Sequence, residues 1–124
     1  MNNAAKRQRA EQRGHRGEWI AAWFLRFKGY RILEQRFKTK HGEVDIIARK
    51  GDLIAMVEVK ARPTVIEAMD AISCTAQRRI ESAGDIWLSR QKDFAKLSVR
   101  YDLIAIMPRK LPVHTQRLFE GGNR

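Results

Sequence analysis

Residues 42–62, GEVDIIARKGDLIAMVEVKAR, set charged side chains inside two otherwise apolar runs: Asp45 within EVDIIA, and Glu58 and Lys60 within LIAMVEVKA. Burying an ionised group without a partner costs several kcal/mol, so such residues are paired, bind metal or line a cleft. The two runs are β-rich, and Arg49-Lys50-Gly51-Asp52 between them is a turn signal, so the stretch reads as a β-hairpin. Side chains two apart on a strand share a face, about 6.5–7 Å from each other. Glu58 and Lys60 therefore point one way, and Val57 and Val59 point the other way into packing. A two-residue loop at Lys50-Gly51 would set Asp45 against Met56 and diagonal to Glu58. A four-residue loop would set Asp45 directly opposite Glu58. Either register gathers Asp45, Glu58 and Lys60 on one face, provided no bulge interrupts the alternation. Glu43 shares that face if the strand is regular.

The rest of the chain must build a fold around this hairpin. Its 124 residues suit one domain, which we read as 1–124 with 1–12 and 120–124 as flexible ends. Hydrophobic content of 44% is enough for a core. The single cysteine, Cys74, excludes an intrachain disulfide and a cysteine-rich zinc site, which fits a reducing cytosol. No apolar run approaches the roughly 18 residues of a membrane span, and no secretory leader pattern is evident. The expected location is the cytoplasm.

Charge is unevenly placed. Residues 1–40 hold 11 Lys/Arg and 3 Asp/Glu (+8), residues 41–106 hold 10 of each (0), and residues 107–124 hold 4 and 1 (+3). A neutral middle containing the acids is thus flanked by basic ends. Such a field attracts polyanions, and nucleic acid is the expected partner.

Helical periodicity appears over residues 16–28, where Ile20, Trp23, Phe24 and Phe27 form an apolar stripe expected to face the core, with Gly29 as C-cap. Glu18 heads a different face, with the small Ala21 and Ala22 and then Leu25 following it. Residues 30–37 read as a strand, and residues 38–42 as a basic turn in which His41 is an exposed loop histidine. After Pro63, Thr64 and Glu67 form a capping box, and helical spacing continues to about residue 90, with Cys74 expected in packing. This helix joins two strands as a crossover. Residues 97–107 read as the next strand, with Arg100 and Asp102 as a structural ion pair, and residues 113–119 as a short edge strand. The expected fold is α/β: a mixed sheet of four to five strands flanked by helices.

An Asp followed about a dozen residues later by Glu-x-Lys on the next strand resembles the core of PD-(D/E)xK nucleases, of restriction-endonuclease-like fold. More closely, GEVDIIA and MVEVKAR, with GEWIAAWFLRFKGYRIL upstream, resemble the YraN family, which is grouped with Holliday-junction-resolvase-like nucleases. The resemblance spans residues 16–107. It implies that Asp45 and Glu58 hold a metal together with the Val59 carbonyl, and that Glu18 supplies a further acid from the first helix. It also places Glu43 and Gln77 beside the ligands. The chain departs from the family pattern in a short connection after Glu58-Val59-Lys60, and at Ala76-Gln77, where a Lys is common.

Two carboxylates suit Mg²⁺ or Mn²⁺, since Mg²⁺ takes oxygen ligands, keeps several waters and completes its shell with substrate phosphates. Lys60 would position the attacking water or neutralise charge on the transition state. Arg13, Arg16, Lys38, Lys40 and Arg62 are the expected contacts to the nucleic-acid backbone. The expected function is metal-dependent endonucleolytic hydrolysis of DNA, more than RNA, at branched or damaged structures, with a homodimer plausible for paired strands. The alternatives are a non-catalytic nucleic-acid-binding module, and a protein in which Asp45, Glu58 and Lys60 form only an internal ion-pair network.

Overall fold

A single antiparallel meander, β1 (Arg31–Thr39), β2 (Gly42–Lys50) and β3 (Leu53–Ala61), supplies the first three strands of the sheet. The computed structural model describes the backbone of residues 3–119 and the side chains of residues 15–119. Before the meander comes helix α1 (Asn3–Phe27); after it come α2 (Val65–Asp70), α3 (Cys74–Ser89), β4 (Ser98–Ile106) and β5 (Val113–Phe119). The sheet order is β1-β2-β3-β4-β5, with β3–β4 parallel and the other pairs antiparallel. The chain is therefore α/β with a five-stranded mixed sheet flanked by helices.

Local chemistry explains the boundaries. α1 ends in a Schellman motif: the N–H of Tyr30 donates to the Leu25 carbonyl and that of Gly29 to the Arg26 carbonyl, both at 3.0 Å. Gly29 has φ +93°, which glycine adopts without a Cβ penalty. The β2–β3 turn pairs Lys50 with Leu53, so its two-residue loop is Gly51-Asp52, one position beyond the expected Lys50-Gly51. Gly51, at φ +63°, occupies the position where a type II′ hairpin turn needs a positive φ. The resulting register is the one in which Asp45 falls opposite Glu58. Thr64 caps α2 by accepting from the Glu67 N–H at 3.1 Å.

Three expectations change. α1 begins at Asn3 rather than residue 16. Residues 1–2 and 120–124, expected to be flexible, lie outside the described residues. The single helix expected after Pro63 is two helices, because Ser73 caps a new one by accepting from the Ala76 N–H at 3.1 Å. Cys74, expected in packing, is exposed in the first turn of α3.

The two faces of the sheet carry separate cores. One is built from Ile54, Met56, Leu103 and Ala105 against Ile80, Ala83 and Trp87 of α3. The other is built from Ala48, Ala55, Val57 and Ile104 against Ala21, Ala22 and Leu25 of α1. Alanines on both surfaces let α1 approach the sheet closely. The centre of the α1 face in the core is thus the small-residue face: Ala21, Ala22 and Leu25 are at most 1% exposed, and of the expected stripe Phe24 packs at its edge, whereas Trp23 is 45% and Phe27 87% exposed. Aromatic rings would hold the helix farther off.

Candidate active site

The pairing of β2 with β3 runs from Lys50–Leu53 to Ile46–Val57, whereas β3 continues along β4 to Ala61 and β2 continues along β1 to Gly42. The sheet thus forks beyond Ile46 and Val57. Asp45 and Glu58 sit at the crotch of this fork, and their side chains replace the missing backbone ladder. Asp45 Oδ2 accepts from the Val59 N–H at 2.8 Å, and Glu58 Oε1 accepts from the Asp45 N–H at 3.3 Å. A residue in an extended strand presents its N–H and C=O to the same edge. The Val59 carbonyl therefore opens toward the same fork as its N–H.

Regular alternation ends here. Val44 packs in the α3-side core and Ile46 in the α1-side core, although they are two residues apart. Arg36, in the part of β1 facing Asp45, has φ +55°, a left-handed conformation uncommon for a residue with a Cβ. The register with β2 is unshifted on either side of Arg36, so the irregularity is a local backbone turn-over and not a bulge.

α1 supplies the opposite wall. Gly17 lies against the sheet, close enough that a Cβ there would sit 3.7 Å from Val59 Cγ1 and from Ile106 Cγ1. The next residue, Glu18, reaches over the strands and accepts a 2.7 Å ion-paired hydrogen bond from Arg36 Nε. Glu18, Glu43 and Asp45 line one cleft of about 380 Å³, together with His15, Arg36 and Lys38.

The acids perturb one another. Burial, then the neighbouring Asp45 carboxylate, pushes the Glu58 carboxyl well above the usual carboxylate range, and the Lys60 ammonium opposes that rise. Burial also raises Asp45, the Val59 N–H works against it, and Glu18 and Glu43 add to the rise while Lys60 lowers it. A cation bound between the two carboxylates would relieve both shifts. Hard oxygen donors in this number fit Mg²⁺ or Mn²⁺, which need few protein ligands; among the described residues no set of three or more His, Cys, Asp or Glu forms a cage. The residues present therefore fit such an ion only with water and substrate phosphate completing its shell.

Of the other candidates, Lys38 lines the cleft. Arg16 and Arg62 border a neighbouring cavity of about 400 Å³ with Gly17, Ile20 and Ile106. Lys40 is exposed in the β1–β2 turn. Gln77 is on α3 and is not among the residues lining the cleft. The Arg13 side chain lies outside the described residues. Sequence reasoning missed His15 and Arg36. Spacing held a signal for His15, three residues before Glu18 and hence on the same helical face. None existed for Arg36, whose placement depends on a backbone irregularity.

The profile of the Uncharacterised protein family UPF0102 matches residues 17–106, which contain Glu18 and the whole fork. A UPF0102 protein of Chelativorans sp. (strain BNC1) is 66% identical over 113 residues, 91% of each chain. One of Mesorhizobium japonicum is 56% identical over 120 residues, 97% of this chain and 96% of its own. One of Agrobacterium fabrum is 52% identical over 109 residues, 88% and 89%. On the fold, the fork and this near full-length identity, the chain belongs to the UPF0102 family, in keeping with its YraN-like motifs.

Proposed function

We propose that the protein is a metal-dependent endonuclease of the PD-(D/E)xK, restriction-endonuclease-like class, hydrolysing phosphodiester bonds in DNA. The observation that carries this reading is the placement of two part-buried carboxylates at the strand fork, Asp45 accepting from the Val59 N–H and Glu58 from the Asp45 N–H, with Lys60 close enough to lower both. Asp45, Glu58 and the Val59 carbonyl would hold Mg²⁺ or Mn²⁺. Such an ion lowers the pKa of water and stabilises charge on phosphoryl and leaving oxygens.

The chain's own groups supply the rest. Lys60 places a positive charge beside the reacting phosphate and orients water. Glu18 and Glu43 line the same cleft and accept hydrogen bonds from water or from basic neighbours. Lys38, and the exposed Arg16, Lys40 and Arg62, supply cations for the phosphate backbone, consistent with a net charge of +11. The setting is cytoplasmic, branched or damaged DNA is the preferred structure, and a homodimer would serve two strands. Among the described residues no helix is long and apolar enough to cross a membrane.

The first test is Mg²⁺ and Mn²⁺ binding by calorimetry on wild type and Glu58→Ala, with and without DNA. Cleavage of single-stranded, duplex and branched DNA follows, comparing wild type with Asp45→Ala at equal DNA occupancy. Ion binding and cleavage lost in the variants support the proposal; an ion affinity indifferent to Glu58 in both conditions refutes it. A second reading, a non-catalytic nucleic-acid-binding module, draws support from the Glu18–Arg36 ion pair, which gives Glu18 a structural task. DNA affinity without cleavage by wild type would select it.

A further inference from the structure

A row of aromatic residues on α1, Trp19, Trp23 and Phe27, faces outward. Trp19 is 64%, Trp23 45% and Phe27 87% exposed, at spacings of four residues along one side of the helix. The ring centroids are 6.4 Å apart for Trp19–Trp23 and 6.3 Å for Trp23–Phe27. The Arg26 guanidinium lies 4.9 Å from the Trp23 ring centroid. A contiguous exposed aromatic surface on a highly charged protein marks an interaction site.

Two features of α1 identify the occupant. Residues 3–27 hold six Lys/Arg and two Asp/Glu, a net +4. A second copy packed helix-to-helix would bring two such charges together, whereas a polyanion is attracted. The stripe also begins at Trp19, next to Glu18, whose side chain lines the carboxylate cleft. At about 1.5 Å rise per residue it extends roughly 12 Å away from that cleft along the helix. Successive helix residues point about 100° apart, so a ligand on the stripe passes around α1 to reach the cleft. Exposed aromatic rings on a cationic helix match the stacking platforms of proteins that hold unpaired bases.

We propose that Trp19, Trp23 and Phe27 form a base-stacking ladder that holds single-stranded nucleic acid along α1, the helix whose Glu18 lines the Asp45 cleft. This deepens the nuclease reading and rests on its nucleic-acid partner: the substrate class is a nucleic acid with an unpaired segment, not uniform duplex.

The experiment uses intrinsic fluorescence. Trp87, the third tryptophan, is 5% exposed, so quenching by a bound base reports mainly on Trp19 and Trp23. An oligothymidylate of about 12 nucleotides is titrated into wild type, Trp19→Ala/Trp23→Ala and Trp19→Phe/Trp23→Phe, with anisotropy of labelled DNA as a second readout. We expect quenching in wild type and a fall in single-strand affinity of at least about fivefold per lost stack in the alanine variant. Affinity for blunt duplex should change by less than about twofold, and the phenylalanine variant should restore most single-strand binding. Because these side chains are exposed, the variants retain the core; circular dichroism checks this.

Unchanged single-strand affinity in the alanine variant, with duplex binding and metal-dependent cleavage intact, overturns the ladder but leaves the nuclease reading standing. Loss of dimerisation, or of binding to anionic lipid vesicles, in place of single-strand binding also overturns it, assigning the stripe to a second copy or a membrane. A wild type that binds no nucleic acid overturns both.

Discussion

Gly42 opens β2, directly after the Lys40-His41 turn and three residues before Asp45, and its replacement by alanine should destabilise the fold. A Cβ built there would lie 1.9 Å from the Arg79 carbonyl oxygen, 2.5 Å from its carbon and 2.8 Å from its Cα. Real Cβ contacts essentially never fall below 3.0 Å, so 3.0 − 1.9 = 1.1 Å of separation must open. The atoms met are helix backbone, and no rotamer can move them away. Nor is the turn free to retreat. Thr39 Oγ1 donates to the Gly42 carbonyl at 2.9 Å and accepts from the Gly42 and His41 N–H groups at 3.1 Å. Overpacking costs typically about 1–3 kcal/mol, and a backbone-on-backbone clash belongs at the upper end. With 124 residues at about 2.1 cal/mol/K each, the unfolding entropy is near 0.26 kcal/mol/K, so Tm should drop by roughly 4–12 °C. Thermal denaturation followed by circular dichroism measures it. A Gly42→Ala protein melting with wild type would refute the close approach of α3 to the β1–β2 turn.

The opposite result is expected at Gly84, where an added Cβ meets Met56 at an ordinary 3.5 Å. Gly84→Ala should be neutral or raise stability by up to about 1 kcal/mol through helix propensity; a loss of more than that in urea denaturation would show that α3 packs more tightly on Met56. Glu58→Gln should stabilise the metal-free protein at pH 7 by on the order of 1 kcal/mol, as replacements of strained site residues often do. Because the folded Glu58 carboxyl is raised, the native state binds its proton more tightly. Wild-type stability should therefore fall as pH rises from the ordinary 4.5 through the raised value, and a pH series of melts in chelator should show a flatter profile for the variant. Asp102, 1% exposed, accepts from Arg100 at 2.7 and 2.8 Å, from His114 at 2.8 Å and from the Arg117 N–H at 3.2 Å. Asp102→Ala strands a partly buried guanidinium and should cost about 3–5 kcal/mol in urea denaturation; a cost below about 1 kcal/mol would refute that role. Although burial alone would raise it, hydrogen bonds from His114 and Arg100 hold Asp102 below the usual carboxylate range. Its contribution is complete above the unfolded carboxyl pKa and disappears as acid titrates the folded value.

Much of this architecture was legible because its cues are local. The hairpin followed from Arg49-Lys50-Gly51-Asp52 and the crossover from a capping box after Pro63, while strand period brought Asp45 and Glu58 to one face and the loop at Gly51-Asp52, one position on from the expected two-residue loop, set them opposite each other. The face that α1 buries was not legible. Helical period yields both an aromatic stripe and an Ala21–Ala22–Leu25 stripe, and hydrophobicity favours the aromatic one. What decides is the surface that receives the helix, where Ala48 and Ala55 permit a close approach only small residues can use. Arg36 and His114 escaped for a related reason. The first takes its position from a positive φ, the second from β4–β5 pairing that brings His114 Nε2 to Asp102 across 12 residues. Lys28 Nζ, 2.6 Å from His114 Nδ1, can only donate, so Nδ1 accepts and Nε2 carries the proton given to Asp102. That chain of partners crosses three elements distant in sequence.

The sheet order follows the chain without a skipped neighbour. During synthesis, β1, β2 and β3 can therefore zip together as they emerge, and the hairpin that carries Asp45 and Glu58 is available once Ala61 is made. Only the β3–β4 pairing waits for a distant segment, and loop closure is the slow, entropically costly part of assembling a sheet. The nascent chain thus brings its candidate acids together from the first half of its length, and β4, arriving later, draws the end of β3 away from β2 and opens the fork between them.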